Sequence, residues 1–179
     1  SLGYAVPGAV IAVGILIPLA LFDNRLNEAL KALFGAGPGL LLTGSVFALL
    51  YGYLVRYFAV GYQSVEAGLA RITPAMDASA RSLGSTPLDT FVRVHLPILR
   101  PSVLAAALLV FVDVMKELPA TLVLRPFNFD TLAVIAYQMA SDERLGEAAL
   151  PALTIVAAGV LPVALLSRAI SRAAGPGRA

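Results

Sequence analysis

The sequence is poor in reactive and charged side chains. It contains no cysteine, which excludes a disulfide framework, a thiolate metal site and a cysteine nucleophile. Charged residues make up only 13% of the chain, against about 25% in a typical soluble domain. His95 is the single histidine, and we assign it a packing or hydrogen-bonding role because one imidazole makes no metal site. We therefore predict no catalytic residue, no resident metal and no cofactor.

Long apolar runs make up most of the chain. Hydrophobic residues account for 59% of it, and the mean hydropathy is +0.84. Residues 1–22, 32–55 and 148–167 contain no Asp, Glu, Lys or Arg, and about 20 apolar residues suffice to cross the hydrocarbon core of a bilayer. These runs predict an all-α integral membrane protein. Because the chain opens with Ser1 inside an apolar segment, without the basic start of a signal peptide, we expect it to be part of something longer.

We expect about four transmembrane helices, a polar insert and a short outer helix. The spans lie at about Leu2–Leu21, Pro38–Tyr57, from Pro101 onward, and Ala148–Leu166, with a short polar stretch at Asp23–Glu28 after the first. Residues 61–97 form the polar insert between the second and third spans. Arg125–Asp130 is typical of an irregular outer loop. Thr131–Ser141 is too short to span, which favours a re-entrant or interfacial helix.

The distribution of basic residues predicts the orientation. Eight of the 13 lie beside or in the insert or in the C-terminal tail, namely Arg56, Arg71, Arg81, Arg93, Arg100, Arg168, Arg172 and Arg178. In a four-span topology the opposite side holds Arg25, Lys31, Lys116, Arg125 and Arg144. Cytoplasmic loops carry an excess of Lys and Arg, so we place the insert, the N terminus and the tail in the cytoplasm.

The insert reads as two short helices with a sharp bend between them. Ala75–Leu83 suits the first helix, and Gly84 suits the left-handed position that ends it. Ser85 or Thr86 is a suitable cap for the following helix. We expect Pro97 to end that helix before the membrane.

The insert resembles the cytoplasmic "EAA" loop of bacterial ABC-importer permeases. That pattern is Glu-Ala-Ala, three residues, Gly, nine residues, then Ile-x-Leu-Pro. The positions that match its spacing are Ala78, Ser79, Ala80, Gly84, Val94, Leu96 and Pro97. Ala78 replaces the family Glu and Ser79 replaces an Ala, while Asp77 lies one place earlier. The acidic contact to the ATPase is therefore kept, shifted to Asp77, or lost.

The resemblance implies a mechanical role for residues 61–97. In the family this loop docks into a cleft of the nucleotide-binding subunit and transmits ATP-driven closure to the membrane helices. Small residues let a partner surface approach closely, and a rigid bend converts a push into helix tilt. The alternative is an amphipathic interfacial hairpin with no partner. The sequence itself has no P-loop, so ATP hydrolysis is expected in a partner ATPase.

A second resemblance concerns the substrate and the partners. Residues 113–130, the following Thr131-Leu-Ala and the Glu147-Ala-Ala-Leu-Pro segment are similar to iron(III) ABC-importer permeases, which are usually built from two related halves. The chain resembles the last part of the second half, so we expect a single permease domain over 1–179 that is a fragment of a longer permease. The resemblance implies a multi-pass protein of the bacterial cytoplasmic (inner) membrane. Its partners would be the lipid bilayer, an ABC ATPase, a second permease half or subunit, and a periplasmic or extracellular substrate-binding protein; no nucleic acid is expected.

Three charges lie at the far end of the third span. Asp113, Lys116 and Glu117 follow at i, i+3 and i+4, which predicts one shared helix face and a pair between Lys116 and Asp113. Ionisable groups at membrane depth usually face a cavity or pair with one another. The three residues either line the translocation path and favour a cation, or hold a gate by an ion pair, or mark a helix end emerging at the outer interface.

The sequence thus favours a permease subunit of an ATP-driven importer, with ferric iron as the substrate that the resemblance implies. Two rival functions remain. One is a secondary transporter or channel that uses the intramembrane charges as an ion relay. The other is a structural membrane subunit that only scaffolds its partners.

Overall fold

Every regular element of the protein is a helix in the part of the chain that the structure describes. The structure is a computed structural model that describes residues 2–173, with the side chains of residues 2, 165–166 and 168–173 outside that description. The helices are α1 (Leu2–Ala5), α2 (Gly8–Phe34), α3 (Val46–Leu69), α4 (Pro74–Ser82), α5 (Pro87–Thr90), α6 (Leu96–Met115), α7 (Pro119–Leu124), α8 (Leu132–Ser141) and α9 (Leu145–Ala173). A π-helical turn, Phe91–His95, joins α5 to α6 without a break.

Among the residues that the structure describes, three helices are long and apolar enough to cross a membrane. They are Gly8–Phe34, the continuous helix Pro87–Met115, and Leu145–Ala164. Helix α3 has 24 residues and is therefore about 36 Å long, but it carries Arg56 and Glu66 within its length. The predicted class, an all-α membrane protein, is confirmed. The number of crossings stays a prediction.

Helices α3 and α6 pack side by side as an antiparallel pair. A Cβ placed on Gly68 would lie 2.7 Å from the Ser102 Cβ, whereas one on Gly61 would lie 4.0 Å from Val110. Tyr57, further back along α3, contacts the end of α6. The small residues at the Gly68 crossing let the two backbones approach closely.

The remaining helices pack around this pair. Helix α2 packs against α7 and α3, while α8 and α9 form a second hairpin whose longer arm touches α6. The buried core is small and consists of Ala12, Ile15, Ala48, Leu49, Ala120 and Leu124. Many large apolar side chains on α2, α3 and α9 are exposed, as expected of surfaces that face lipid or another subunit.

The first two predicted spans differ from the helices observed. Helix α2 continues past Leu21 through the polar stretch to Phe34, and α3 begins at Val46 rather than at Pro38. Between them lies a loop whose Gly35, Gly39 and Gly44 have φ of 75°, 79° and 71°, a conformation that breaks a helix and favours glycine.

The polar stretch holds this loop in place. Asp23 is only 1% exposed, and its carboxylate accepts hydrogen bonds from the backbone N–H groups of Leu42 and Thr43 at 2.7–3.1 Å. The Asn27 side chain accepts another from the Gly39 N–H at 3.0 Å. The short polar stretch that follows the first predicted span thus anchors this loop through Asp23 and Asn27.

The bend of the insert is confirmed, but its far end is not. Gly84 adopts φ 77° after α4, and the Thr86 side chain caps α5 by accepting from the Asp89 N–H. The prediction that Pro97 ends the second helix is wrong. Pro97 lies in the first turn of α6, and the preceding π-helical turn, closed by the Leu96 N–H on the Phe91 carbonyl, keeps the helix continuous.

The irregular loop and the short helix after it are confirmed, and their location on the outer side stays a prediction. Residues 125–131 are irregular and α8 occupies Leu132–Ser141. Helix α7 was not expected from the sequence. Of the basic tail, Arg178 and the side chains of Arg168 and Arg172 lie outside the described residues.

Candidate functional site: a bent insert and a buried charge junction

The insert presents an apolar tip at its bend. Leu83 is 86% exposed and Leu88 is 73% exposed, on either side of Gly84. Behind the tip, a groove of about 430 Å³ runs between α4 and the π-helical turn. It brings together Ser79, Ala80 and Val94 among the predicted insert residues. Ala78 lies outside this groove and is exposed, and Leu96 and Pro97 begin α6.

Asp77 of α4 and His95 of the π-helical turn contact each other. The Asp77 Oδ1 lies 2.7 Å from the His95 Nε2, and the two side chains are 39% and 21% exposed. The hydrogen-bonding role predicted for His95 is confirmed. Asp77, the acidic residue next to the substituted family Glu position, is engaged by its own chain.

Glu117 is buried in a junction at the other end of α6. It is 6% exposed and its Oε2 accepts from the Arg56 Nε at 2.9 Å and from the Tyr57 hydroxyl at 2.5 Å. Its Oε1 accepts from the Ala120 N–H at 3.1 Å. A buried charge is tolerated when it is paired and hydrogen-bonded, and Glu117 meets both conditions.

Arg56 extends the junction to the start of the chain. Its Nη1 donates to the Val6 carbonyl at 2.8 Å, just before the helix break at Pro7. Gly8 lies so close that a Cβ there would be 2.5 Å from the Glu117 Oε1. Three segments therefore meet at the Glu117 carboxylate: the α1–α2 break, the middle of α3 and the α6–α7 break.

The three charges predicted on one helix face are separated by the structure. Lys116 pairs with Asp113 at 2.9 Å, as expected, and its side chain is 63% exposed. Glu117 lies beyond the end of α6 and turns inward instead. The prediction of one shared face is wrong for Glu117 because the helix ends at Met115, which removes the helical spacing on which that prediction depended.

Sequence reasoning also missed the partner of Glu117. It assigned Arg56 to the cytoplasmic side and Glu117 to the opposite side, whereas their contact puts both at one depth. Arg56 lies well inside α3, and the antiparallel register set by Gly68 brings it to the end of α6. Arginine in the middle of an apolar helix was the available signal, since such residues pair or line cavities.

Within the described part of the chain, no cluster of three or more His, Cys, Asp or Glu side chains is arranged to hold a metal ion. The titratable groups of the insert contact and of the junction form pairs instead: Arg56 with Glu117, Lys116 with Asp113, and His95 with Asp77. The first two pairs together carry no net charge.

The apolar helices and their internal charge pairs define an all-α membrane protein with a bent polar insert between two of its helices. Curated relatives sharpen that class. The "Fe(3+)-transport system permease protein FbpB 2" of Haemophilus influenzae is 29% identical over 165 residues, which is 92% of this chain and 29% of the relative. The "Putative 2-aminoethylphosphonate transport system permease protein PhnV" of Salmonella typhimurium is 28% identical over 156 residues, covering 87% of this chain and 58% of the relative.

A third relative has a broader name. The "Probable ABC transporter permease protein y4fN" of Sinorhizobium fredii is 25% identical over 172 residues, or 95% of this chain and 28% of the relative. The chain thus spans less than a third of the ferric relative and of y4fN, and under two thirds of PhnV. No family model matches the chain. The resemblance to bacterial ABC-importer permeases, including iron permeases, is confirmed by these relatives.

Proposed function

We propose that the chain is a membrane-spanning permease part of an ATP-driven ABC importer in the bacterial inner membrane. It would work with a cytoplasmic ABC ATPase, a second permease half or subunit and an external substrate-binding protein. The names of the relatives support the permease class. ATP hydrolysis is assigned to the partner subunit, and the chain itself is not an enzyme.

The observation that carries the proposal is the geometry of the insert. Two helices meet at the left-handed Gly84, and the exposed Leu83 and Leu88 stand on either side of the bend. Solvent-exposed apolar side chains at a rigid bend suit the cleft of a partner protein. The continuity of α5 with α6 would carry a displacement of the insert directly into a membrane helix.

Ferric iron is the substrate that we propose first, because the name of the 29%-identical relative describes an Fe(3+)-transport permease. A phosphonate is the second candidate, since PhnV matches at 28% identity. The paired charges do not favour a cation over an anion, because Arg56–Glu117 and Lys116–Asp113 are balanced pairs. Uptake measured with both probes decides between the two substrates.

We assign Glu117 to a gate rather than to a cation site. Both of its oxygens accept hydrogen bonds from its own chain, which leaves little room for a transported ion. The buried pair with Arg56 instead holds the α6–α7 break against α3. Asp113 and Lys116, with Lys116 largely exposed, would flank the path that this gate closes.

Co-purification tests the coupling role. The full chain, produced with its ATPase, should retain that ATPase, and Gly84→Pro should release it because proline cannot adopt a positive φ. Phe127→Ala, a change at an exposed side chain of the outer loop, is the matched control and should retain the ATPase. If the Gly84→Pro variant retains as much ATPase as the unchanged chain, the coupling assignment is contradicted.

Transport in reconstituted vesicles separates the rival functions. An importer stops when ATP is withdrawn, whereas a secondary transporter or channel continues until the ion gradient collapses. A structural subunit predicts unchanged transport when Asp113 and Glu117 are replaced by Asn and Gln. We expect transport to depend on ATP and to fall in the doubly substituted variant.

A further inference from the structure

The Asp77–His95 contact differs from the other described polar contacts of the insert. Those contacts are local, such as Ser82 to the Ala78 carbonyl and Thr86 with Asp89. Asp77 and His95 are separated by 18 positions, and their bond joins α4 to the helix that becomes α6. Among the described side-chain hydrogen bonds of residues 74–97, it is the one that ties the two arms together.

The position of this bond allows it to fix the angle between the two arms of the insert, α4 and the continuous α5–α6 helix. The arms meet at residues 83–86, where Gly84 has positive φ and Leu83 is almost fully exposed. Local backbone bonds close this turn, from the Gly84 N–H to the Arg81 carbonyl at 2.9 Å and from the Ser85 N–H to the Ala80 carbonyl at 3.0 Å, but they do not reach α5. The bond between the Asp77 carboxylate and the His95 ring closes the open side of the bend, so that the turn and the bond together define one angle.

The π-helical turn ends on His95 itself. One extra residue in a turn rotates everything after it by about 100° around the helix axis. A regular α-helix running from Pro87 would therefore present a different face at position 95. Since π-helical turns are rare and are frequently found at functional sites, its location is consistent with a need to direct His95 towards Asp77.

We propose that the Asp77–His95 hydrogen bond is a latch that fixes the angle between α4 and the continuous α5–α6 helix. A displacement of α4 is then transmitted to α6 instead of being absorbed at the Gly84 turn. Asp77 and His95 are positioning residues and do not form the docking surface. This inference rests on the proposed coupling function, and it assigns Asp77 to a contact within the insert rather than to an acidic contact with the ATPase.

The test compares transport per ATP hydrolysed in vesicles that contain the full chain and its ATPase, with ferric ion and 2-aminoethylphosphonate as probes. Asp77→Ala and His95→Ala should each lower this ratio about fivefold, the effect of losing a partly exposed charge-assisted bond. The double variant should be no worse than either single variant. The exchange D77H/H95D should recover most of the ratio.

Arg93→Ala is the matched control. It removes another charge pair of the same insert, the exposed Arg93–Asp89 pair at 3.9 Å, and should leave the ratio unchanged. Equal losses in Arg93→Ala and His95→Ala, or additive losses in the double variant, would overturn the latch.

The absence of native cysteine permits a direct mechanical rescue. The variant D77C/H95C should be uncoupled, and a short bifunctional thiol reagent that bridges the two positions should restore coupling. In the single variants Asp77→Cys and His95→Cys, where the reagent can attach at only one position, it should not restore coupling. A bridged protein that stays uncoupled although it is folded and retains its ATPase would contradict the proposal.

A spectroscopic measurement separates failure of the latch from failure of the proposed function. His95 is the only histidine, so its ring nitrogens give a single set of NMR signals in the full chain. Asp77→Asn should shift these signals, and Asp89→Asn should not. If the signals ignore Asp77, the latch is wrong whatever the protein transports; if they respond but no ATPase binds, the importer function is wrong.

Discussion

Replacing Arg56 with methionine tests whether the buried charge junction holds the helices together. Methionine keeps much of the length of the side chain while removing its charge and its donors. Glu117, 6% exposed, would lose the bond from the Arg56 Nε at 2.9 Å but keep those from Tyr57 and Ala120. The Val6 carbonyl would lose its donor as well.

The expected cost follows from these contacts. Removing one partner of a buried ion pair costs about 3–5 kcal/mol, and the two donors left on Glu117 favour the low end of that range. The lost bond to the Val6 carbonyl adds about 1 kcal/mol. We therefore expect Arg56→Met to lower the free energy of unfolding by about 4 kcal/mol.

The double variant R56M/E117Q should recover much of this loss. A neutral amide removes the unpaired buried charge and still offers an oxygen to Tyr57 or Ala120, so the net cost should be about 1–2 kcal/mol. Lys116→Met is the control, because that cation is paired but 63% exposed and such pairs contribute about 1 kcal/mol or less.

Unfolding by sodium dodecyl sulphate in mixed micelles, followed by circular dichroism, measures five proteins under one condition: the unchanged chain, Arg56→Met, Glu117→Gln, the double variant and Lys116→Met. The double-mutant cycle isolates the energy that Arg56 and Glu117 share. Additive costs, or an Arg56→Met that is no worse than Lys116→Met, would refute the assignment of the junction as a stabilising contact.

Three further changes test other parts of the fold by the same unfolding measurement. Gly68→Ala should destabilise the protein by about 1–3 kcal/mol because its Cβ would lie 2.7 Å from the Ser102 Cβ. Its control, Gly61→Ala on the same helix, should be tolerated. Equal effects of the two substitutions would contradict the α3–α6 register. Asp23→Asn should cost about 1–3 kcal/mol, since the acceptor of the Leu42 and Thr43 N–H groups loses its charge and the new amide NH2 group would face the Leu42 N–H. Its control, Glu28→Gln, changes an exposed side chain and should have little effect. Gly84→Ala should cost about 1–2 kcal/mol because its φ is 77°, and an unchanged stability would mean that the turn adopts another conformation.

The features that the sequence predicted correctly are those decided by neighbouring residues. The left-handed Gly84, the cap at Thr86 and the helix at Leu132–Ser141 depend on local backbone chemistry. The pair of Lys116 with Asp113 follows from three-residue spacing over the last turn of α6 and its C-cap. Each of these features is determined within a few positions along the chain.

The features that it missed depend on contacts between distant segments. Asp23 bonds backbone groups about 20 positions away, which turns an expected span start into an anchored loop. Arg56 meets Glu117 across 61 positions. Their meeting depends on where α6 ends and on the register of α3 against it, and neither quantity is fixed by hydropathy.

Helix α6 connects the two polar contacts that matter most in this structure. It begins directly after His95 and ends two residues before Glu117, and its 20 residues make a rod of about 30 Å. Between these ends it packs on α3 mainly through apolar and small side chains, which allow sliding or tilting more readily than directional bonds do.

The Asp77–His95 bond acts on the orientation of the insert, whereas the Arg56–Glu117 pair acts on the attachment of the opposite end of α6. Substitutions at the first pair should therefore change transport per ATP with little change in unfolding, and substitutions at the second should change unfolding even in the absence of an ATPase. If substitutions at both pairs changed only the free energy of unfolding, α6 would not transmit motion, and the insert would have no mechanical connection to the junction.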